Sequence, residues 1–335
     1  MTKAAELAKM GEVLTNSQIG GRRNIAFNGG MNVAQRGTSS TGLGANGDAF
    51  LLDRFRVTAA STAGRYTMTQ TADGPSGFAN CLKIACTTAD TSIAAGENLV
   101  LVQGLEGQDL QQFKKGTSDA EKFTVSFYVK GHDAATYTFE MFDGDNTRQV
   151  SQTFSVTTDW TRVILTFPAD TTGAFGDDNG ASLYLQICLH AGSTFTSGTL
   201  NTSWASNTNA NRYSSDQNSI FESTSATFFI TGFQFEVGSQ ATPFEHRSFG
   251  EELDLCQRYY AEKNDGSTLQ SFQISGGTEE QFYVYFPKFM RANPTVSKTV
   301  SSGAVTTVIA GKDNVKFVHG SAEFSLTDWN LDAEL

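Results

Sequence analysis

Phe228-Phe229-Ile230-Thr231-Gly232-Phe233-Gln234-Phe235-Glu236-Val237 alternates bulky apolar residues with polar or small ones. Successive side chains of a strand point to opposite faces, so a period of two marks a ribbon buried on one side. This spacing predicts Phe229, Thr231, Phe233, Phe235 and Val237 facing inward. The same pattern recurs upstream, where Phe123, Val125, Phe127 and Val129 are expected inside and Thr124, Ser126 and Lys130 outside. Tyr137, Phe139 and Met141 repeat it, as do Val163, Leu165 and Phe167, then Leu183, Leu185, Ile187 and Leu189. Asp143-Gly-Asp-Asn146, Thr157-Thr-Asp159 and Gly176-Asp-Asp-Asn-Gly180 lie between these runs and supply turn chemistry. No helical period separates the strands, which predicts an all-β, antiparallel jelly-roll β-sandwich.

At 335 residues the chain exceeds what one hydrophobic core usually serves, and two units are expected. Phenylalanine dominates the aromatics, 26 against 9 Tyr and 3 Trp, and it fills a sandwich interior without needing a polar partner. The net charge of −11, from 35 acidic and 24 basic residues with no basic stripe, disfavours nucleic acid, and no such partner is expected. No apolar run is long enough for a signal peptide or a membrane span, so synthesis without export and no membrane insertion are expected. Cys188, in a strand pattern, and Cys256, on a helix face, are expected to be buried free thiols. Whether Cys81 and Cys86 pair is open.

Residues 1–24 read as an attachment segment: a short helix over 2–10, with Ala4, Leu7 and Ala8 on one face, then a Gly-punctuated linker. Simple disorder is the competing reading. Residues 25–247 form the sandwich and 248–261 a connecting helix. There Ser248 and Glu251 make a capping box, and Leu253, Cys256 and Tyr260 share a face. Residues 262–335 form a smaller β domain in which Phe282, Val284 and Phe286 alternate with Tyr283 and Tyr285. Val296, Val315, Phe317, Phe324 and Leu326 continue it.

Catalytic signals are weak. There is no Gly-x-Ser-x-Gly, and His132, His190, His246 and His319 are scattered without metal-binding spacing, so each is expected at the surface or in a hydrogen bond. No local pattern selects a carboxylate pair for glycoside hydrolysis. Asp143, Asp145 and Asn146 offer oxygens at the spacing of a calcium loop but lack its remaining ligands; a plain hairpin turn is the other reading. No other cofactor is expected. The long polar excursion 191–219 carries Trp204 and Tyr213 as ring platforms for a sugar, with Asn211 and Asp216 as hydrogen-bonding partners. Alternatively, Trp204 pins this loop to the sandwich.

The run from Phe228 to Tyr260, including Phe233-Gln-Phe-Glu236 and Thr242-Pro-Phe-Glu-His-Arg247, resembles a signature of tailed-bacteriophage structural and tail-fibre-type proteins. Arg22-Arg-Asn-Ile-Ala-Phe-Asn-Gly-Gly-Met-Asn-Val-Ala-Gln-Arg-Gly37 with Asp53-Arg-Phe55 is similar to their opening. Gly104–Phe113, Gly116–Lys130 and Trp160–Phe167 are similar to their middle strands. Pro287–Val296 and Trp329–Leu335 resemble their C-terminal module, so the likeness spans about residues 22–335. Phe55 stands where Trp is frequent and Phe235 where Leu is common; both stay bulky and apolar.

The resemblance implies a non-enzymatic virion component, a tail fibre or adhesin with a carbohydrate-binding-module-like jelly roll. It would be assembled in the cytoplasm of a bacterial host and carried on the particle. A homotrimer, contacts with other tail or baseplate proteins, and recognition of a host-surface glycan follow as expectations. A capsid-surface decoration protein and a capsule depolymerase are the alternatives. Within the signature, Phe235 and Val237 are expected in the core, Pro243 to end the strand, and Glu245 or Glu251 to pair with Arg247 or Arg258.

Overall fold

The computed structural model describes residues 22–263, 269–271, 280–302, 305–319 and 324–335, with Lys3 and Ala4. The expected attachment segment, residues 1–24, falls outside the described residues apart from Lys3, Ala4 and positions 22–24.

The first unit contains β1 Ser39–Phe50, β2 Arg56–Thr71, β3 Cys81–Thr88, β4 Asn98–Glu106, β5 Phe123–Gly131, β6 Ala135–Asp143, β7 Arg148–Val156, β8 Thr161–Phe167, β9 Ala181–Ala191, β10 Ala205–Ser206 and β11 Thr227–Val237. They pair in the order β10-β7-β6-β9-β4-β2-β3-β11-β5-β8, with β1 on β2. The long β2 joins two layers: Arg56–Ala60 pairs with β4, and Arg65–Thr71 pairs with β3. Between these halves Ser61 takes a left-handed φ of 56°, which lets the strand turn the corner. The two layers close on a phenylalanine core, where Phe127 of β5 meets Phe139 of β6 at 5.8 Å and Phe154 of β7 at 5.2 Å. The result is an antiparallel jelly-roll β-sandwich.

On β5 the alternation places Phe123, Val125, Phe127 and Val129 in the core as expected, all fully buried. On β11 it inverts part-way. Phe228 and Ile230, then Phe233 and Phe235, are the core residues, while Phe229 is only half-buried. The cause is a bulge: the register against β5 shifts between Thr231 and Gln234, and Gly232 sits at φ 64°. One extra residue moves the following side chains to the other face. Phe229 therefore lies outside, edge-on to Trp160 at 6.3 Å with the Lys130 ammonium 4.8 Å away, and Thr231 bonds the Asn80 carbonyl. Phe235 is core and Val237 packs at its border.

Ser248 and Glu251 form the expected capping box at the head of the helix Phe249–Gln257. Tyr260 lies beyond that helix, in the first strand of the second unit. That unit comprises β12 Tyr260–Lys263, β13 Leu269–Ser271, β14 Glu280–Tyr285, β15 Thr295–Ser302, β16 Val305–Ala310, β17 Asn314–His319 and β18 Phe324–Asp332. One sheet runs β12-β18-β13 with β15 on β18, and the other runs β14-β17-β16. Val284, Met290, Val315, Phe317, Leu326 and Trp329 are among the residues of its own core, separate from that of the sandwich. All four cysteines are buried and free.

Candidate functional site

The 192–219 excursion folds back over the outer face of β6 and β9. It is ordered by backbone bonds such as Asn218 N–H to Thr136 O at 2.8 Å and Ser151 N–H to Asn201 O at 2.7 Å. Arg212 drops onto that face and grips Glu140 through two nitrogens, at 2.6 and 3.0 Å, where Glu140 is fully buried. Burial works to lower the guanidinium pKa, but Tyr213 and Glu140 beside it raise it, so the arginine stays charged. The neighbouring Cys188 thiol is pushed up to about 12 by burial.

This packing places the four residues expected to hold a sugar. Tyr213 is 1% exposed, lodged with Val100, Val102 and Cys188, so its ring offers no platform. Trp204 is half-buried: its indole N–H donates to Pro168 O at 2.9 Å and its ring lies 5.5 Å from Phe123. It pins the loop to the sandwich, the alternative reading. Asn211 is half-buried within the loop, and Asp216 alone is exposed. The structure does not bring these residues together on one surface. An aromatic in a polar loop can satisfy itself against its own domain, which residue type alone does not reveal.

Asp143, Asp145 and Asn146 are engaged by groups of the chain itself, as the hairpin-turn reading has them. The fully buried Lys115 ammonium lies 2.5 Å from Asp143 Oδ2 and 3.1 Å from Asp170, so a cation already occupies that place. Asn146 turns its amide donor toward Asp143, and Asp145 accepts the Gly176 N–H at 2.8 Å. The segment is a turn locked by a lysine from elsewhere in the chain.

The signature residues form a strap. β11 ends at Val237, not at Pro243, and Gly238 at φ 100° turns the chain back across the outer face of β11. Gln234 and Glu236 hold the strap: Glu236 accepts from Thr242 N–H at 3.0 Å and Oγ1 at 2.5 Å, and Gln234 accepts the Glu245 amide at 2.7 Å. Glu245 then takes the Arg23 and Asn24 amides at 2.6 and 2.9 Å. Arg247 donates to Ala26 O at 3.1 Å and pairs with Glu245 and Glu252. Asn24 completes the lock by accepting from Phe235 N–H and donating to Phe233 O. Of the expected pairs, Glu245–Arg247 forms. Glu251 serves the helix cap, and Arg258 reaches Glu106 instead, at 2.7 and 2.9 Å. Burial would raise the Glu106 carboxyl, but hydrogen bonds from Arg258 hold it below its ordinary value.

Among the described residues, a paired aromatic face open to solvent lies in the second unit. Tyr283 and Tyr285 of β14 are 46% and 73% exposed and share one face at a spacing of two. Lys316 and Asn314 of β17 stand directly opposite them. This is a ring-and-donor arrangement of the kind a sugar needs. Among the described residues, a depression of about 560 Å³ has Glu262 as its carboxylate, one of about 300 Å³ has Asp109, and one of about 290 Å³ has Glu262 and Asp328.

No family model matches the chain, and no curated protein matches it. Solved structures do. The chain is similar to a CBM4 structure at 12% identity, over 63% of this chain and 97% of that one, with a TM-score of 0.34. It is also similar to the family 11 carbohydrate-binding module of Clostridium thermocellum, solved with a β-1,3-1,4-mixed-linked tetrasaccharide, at 9% identity over 63% and 99% of the two chains and a TM-score of 0.30. The enzymatically active domain of tailspike protein 4 from bacteriophage CBA120 aligns at 11% identity over 64% of this chain and 21% of that chain, with a TM-score of 0.31.

Sequence spacing missed one cluster altogether. His190, expected to stand apart from other ligands, is fully buried beside Asp90 and Glu97. The pairing of Leu99 with His190, with the Gly192 amide on Glu97 O, sets Glu97 beside the imidazole, and the Asp90 amide bonded to Phe221 O at 2.8 Å sets Asp90 there; no local motif announces it.

Proposed function

We propose that the protein is a non-enzymatic structural component of a tailed-phage virion, a tail fibre or adhesin that contributes to recognition of a host-surface glycan. The supporting observation is that the segments carrying the sequence resemblance meet physically. Asn24 and Ala26, the Gln234–Arg247 strap, Asp53-Arg54, Glu106 with Arg258, and Glu334 interlock around one junction. Their order and spacing along the chain are what such a junction requires. A signature spent on holding a scaffold suits a particle component better than a catalyst.

Glycan contact in this reading moves from the 192–219 loop to the exposed Tyr283 and Tyr285 face of β14. Stacking on exposed rings gives weak affinity per site, and a homotrimer would multiply it through avidity. Residues 1–24 are assigned to docking on tail or baseplate proteins. Immunogold labelling of particles tests the main reading: label on the tail is expected, and its absence from particles would overturn it. Label on the capsid would favour a decoration protein instead. Tyr285→Ala should weaken binding to host cells without lowering the melting temperature. Unchanged binding would remove β14 as the contact face.

A further inference from the structure

We propose that Asp90, Glu97 and His190 bind one divalent cation of the zinc class, which ties down both ends of the 192–219 loop. One carboxylate oxygen from each acid and one ring nitrogen of His190 all lie within 4.8 Å of one another. The three residues are 7%, 4% and 0% exposed.

Charge is the first reason. Two carboxylates are buried side by side, and among the described residues no Lys or Arg pairs with either. Their one basic neighbour is His190, whose Nε2 lies 3.0 Å from Glu97 Oε2. Buried acids without a counter-ion are strongly disfavoured, and a cation removes that penalty. An unfilled bonding position is the second reason. Asp90 Oδ1 accepts the Ser92 amide at 3.1 Å, but the buried Oδ2 has no partner.

The donor set selects the metal. Calcium takes six to eight oxygens, whereas an imidazole joined to carboxylates suits zinc and its first-row neighbours. Zinc would hold these atoms at about 2.0–2.2 Å, so the three side chains need only close inward. His190 Nδ1 lies 2.7 Å from Ser219 Oγ, a contact that orients the ring and leaves Nε2 to the metal. Ser219 Oγ also accepts the Phe221 amide at 3.0 Å, and the Phe221 ring stands edge-on to the imidazole at 5.1 Å.

The ligands sit where the loop leaves and returns. The Gly192 amide donates to Glu97 O at 2.7 Å, and Ile220 N–H donates to Leu189 O at 2.8 Å. A metal here would join the β3–β4 connection, the end of β9 and the returning Ser219 at one point. This site is independent of the virion reading.

The test uses the full chain, stripped with a chelator, dialysed and titrated with Zn²⁺ by calorimetry, with bound metal counted by mass spectrometry. One zinc per chain, a higher melting temperature and slower amide exchange across 192–219 are expected. Asp90→Asn keeps the side-chain shape and should weaken binding about tenfold or more. Glu97→Gln should do the same, and it serves if the first variant fails to fold. Cobalt in place of zinc should lack the near-ultraviolet thiolate band that cysteine ligation would produce. The proposal is overturned by no uptake, by variants that bind as the wild type does, by a thiolate band, or by calcium outcompeting zinc.

Discussion

Arg54 and Glu334, 280 positions apart in the chain, form an ion pair with side chains 1% and 4% exposed. The guanidinium also donates to Gly104 O at 2.5 Å and lies 3.4 Å from the centroid of the Tyr259 ring. Burial would lower its pKa, but Glu334 raises it, so the arginine stays charged. Arg36 repeats the arrangement beside it, stacked 3.5 Å over Tyr260 and paired with Asp332 and Glu334. Arg291 donates to the carbonyls of Ala333 and Glu334 at 2.8 and 2.9 Å. The end of the second unit is thereby fastened to the opening segment of the sandwich.

Removing one partner of this pair strands a buried charge. Arg54→Met should cost about 3–5 kcal/mol in urea denaturation, and Glu334→Gln a comparable amount. Replacing both by apolar residues should recover much of the loss, because the intact pair itself contributes little beyond its own desolvation. Additive losses in that double variant would contradict this account.

Trp204→Ala should act on stability. With a half-buried indole bonded to Pro168 and packed on Phe123, the expected loss is about 2 kcal/mol, below the value for a fully buried tryptophan. Binding to host cells should persist in the folded fraction. A variant that keeps its denaturation midpoint but loses binding would return the contact face to this loop.

Gly232→Ala should be costly for its size. The position has φ 64°, and a methyl group there would stand 2.8 Å from the Phe78 and Tyr128 rings. A loss of about 1–3 kcal/mol is expected from the strained backbone and crowding together. A midpoint equal to wild type would show that the bulge relaxes freely.

Acid should destabilise the protein through Asp170 and Glu106. Burial alone would raise both carboxyls, but Arg148 and Lys115 hold Asp170 below its ordinary value, and Arg258 does so for Glu106. Their native pKa values lie under those of the unfolded chain, so the unfolded state takes up protons first as pH falls. Their contribution should be complete above about pH 5 and fade as pH drops through 4 toward the native values. Asp170→Asn should lower stability at pH 7 and flatten that slope in urea midpoints taken from pH 7 to 3. An unchanged slope would discount Asp170.

Much of the sandwich was legible because a strand buried on one face writes its alternation locally. Phe123 to Val129, the turns at 143–146 and 157–159, and the Ser248–Glu251 cap all follow from neighbours in sequence. The candidate site was far less legible. Trp204 and Tyr213 have the composition of a sugar platform, yet exposure decides that role. Exposure depends on whether the loop folds outward or back onto β6 and β9.

The sequence by itself determined the class of fold, the strand faces wherever alternation was unbroken, and the acidic, Phe-rich character of the chain. It also contained Gln234, Glu236, Thr242, Glu245 and Arg247, the residues that became the strap. Only the tertiary structure decided the rest. The parity of β11 turned on one inserted position at Gly232, and Asp143 received its lysine from another element. Asp90, Glu97 and His190 became neighbours because Leu99 pairs with His190 and the Asp90 amide bonds Phe221 O. Periodicity is a property of adjacent residues, whereas charge pairing, exposure and ligand geometry arise between residues that only the folded chain brings together.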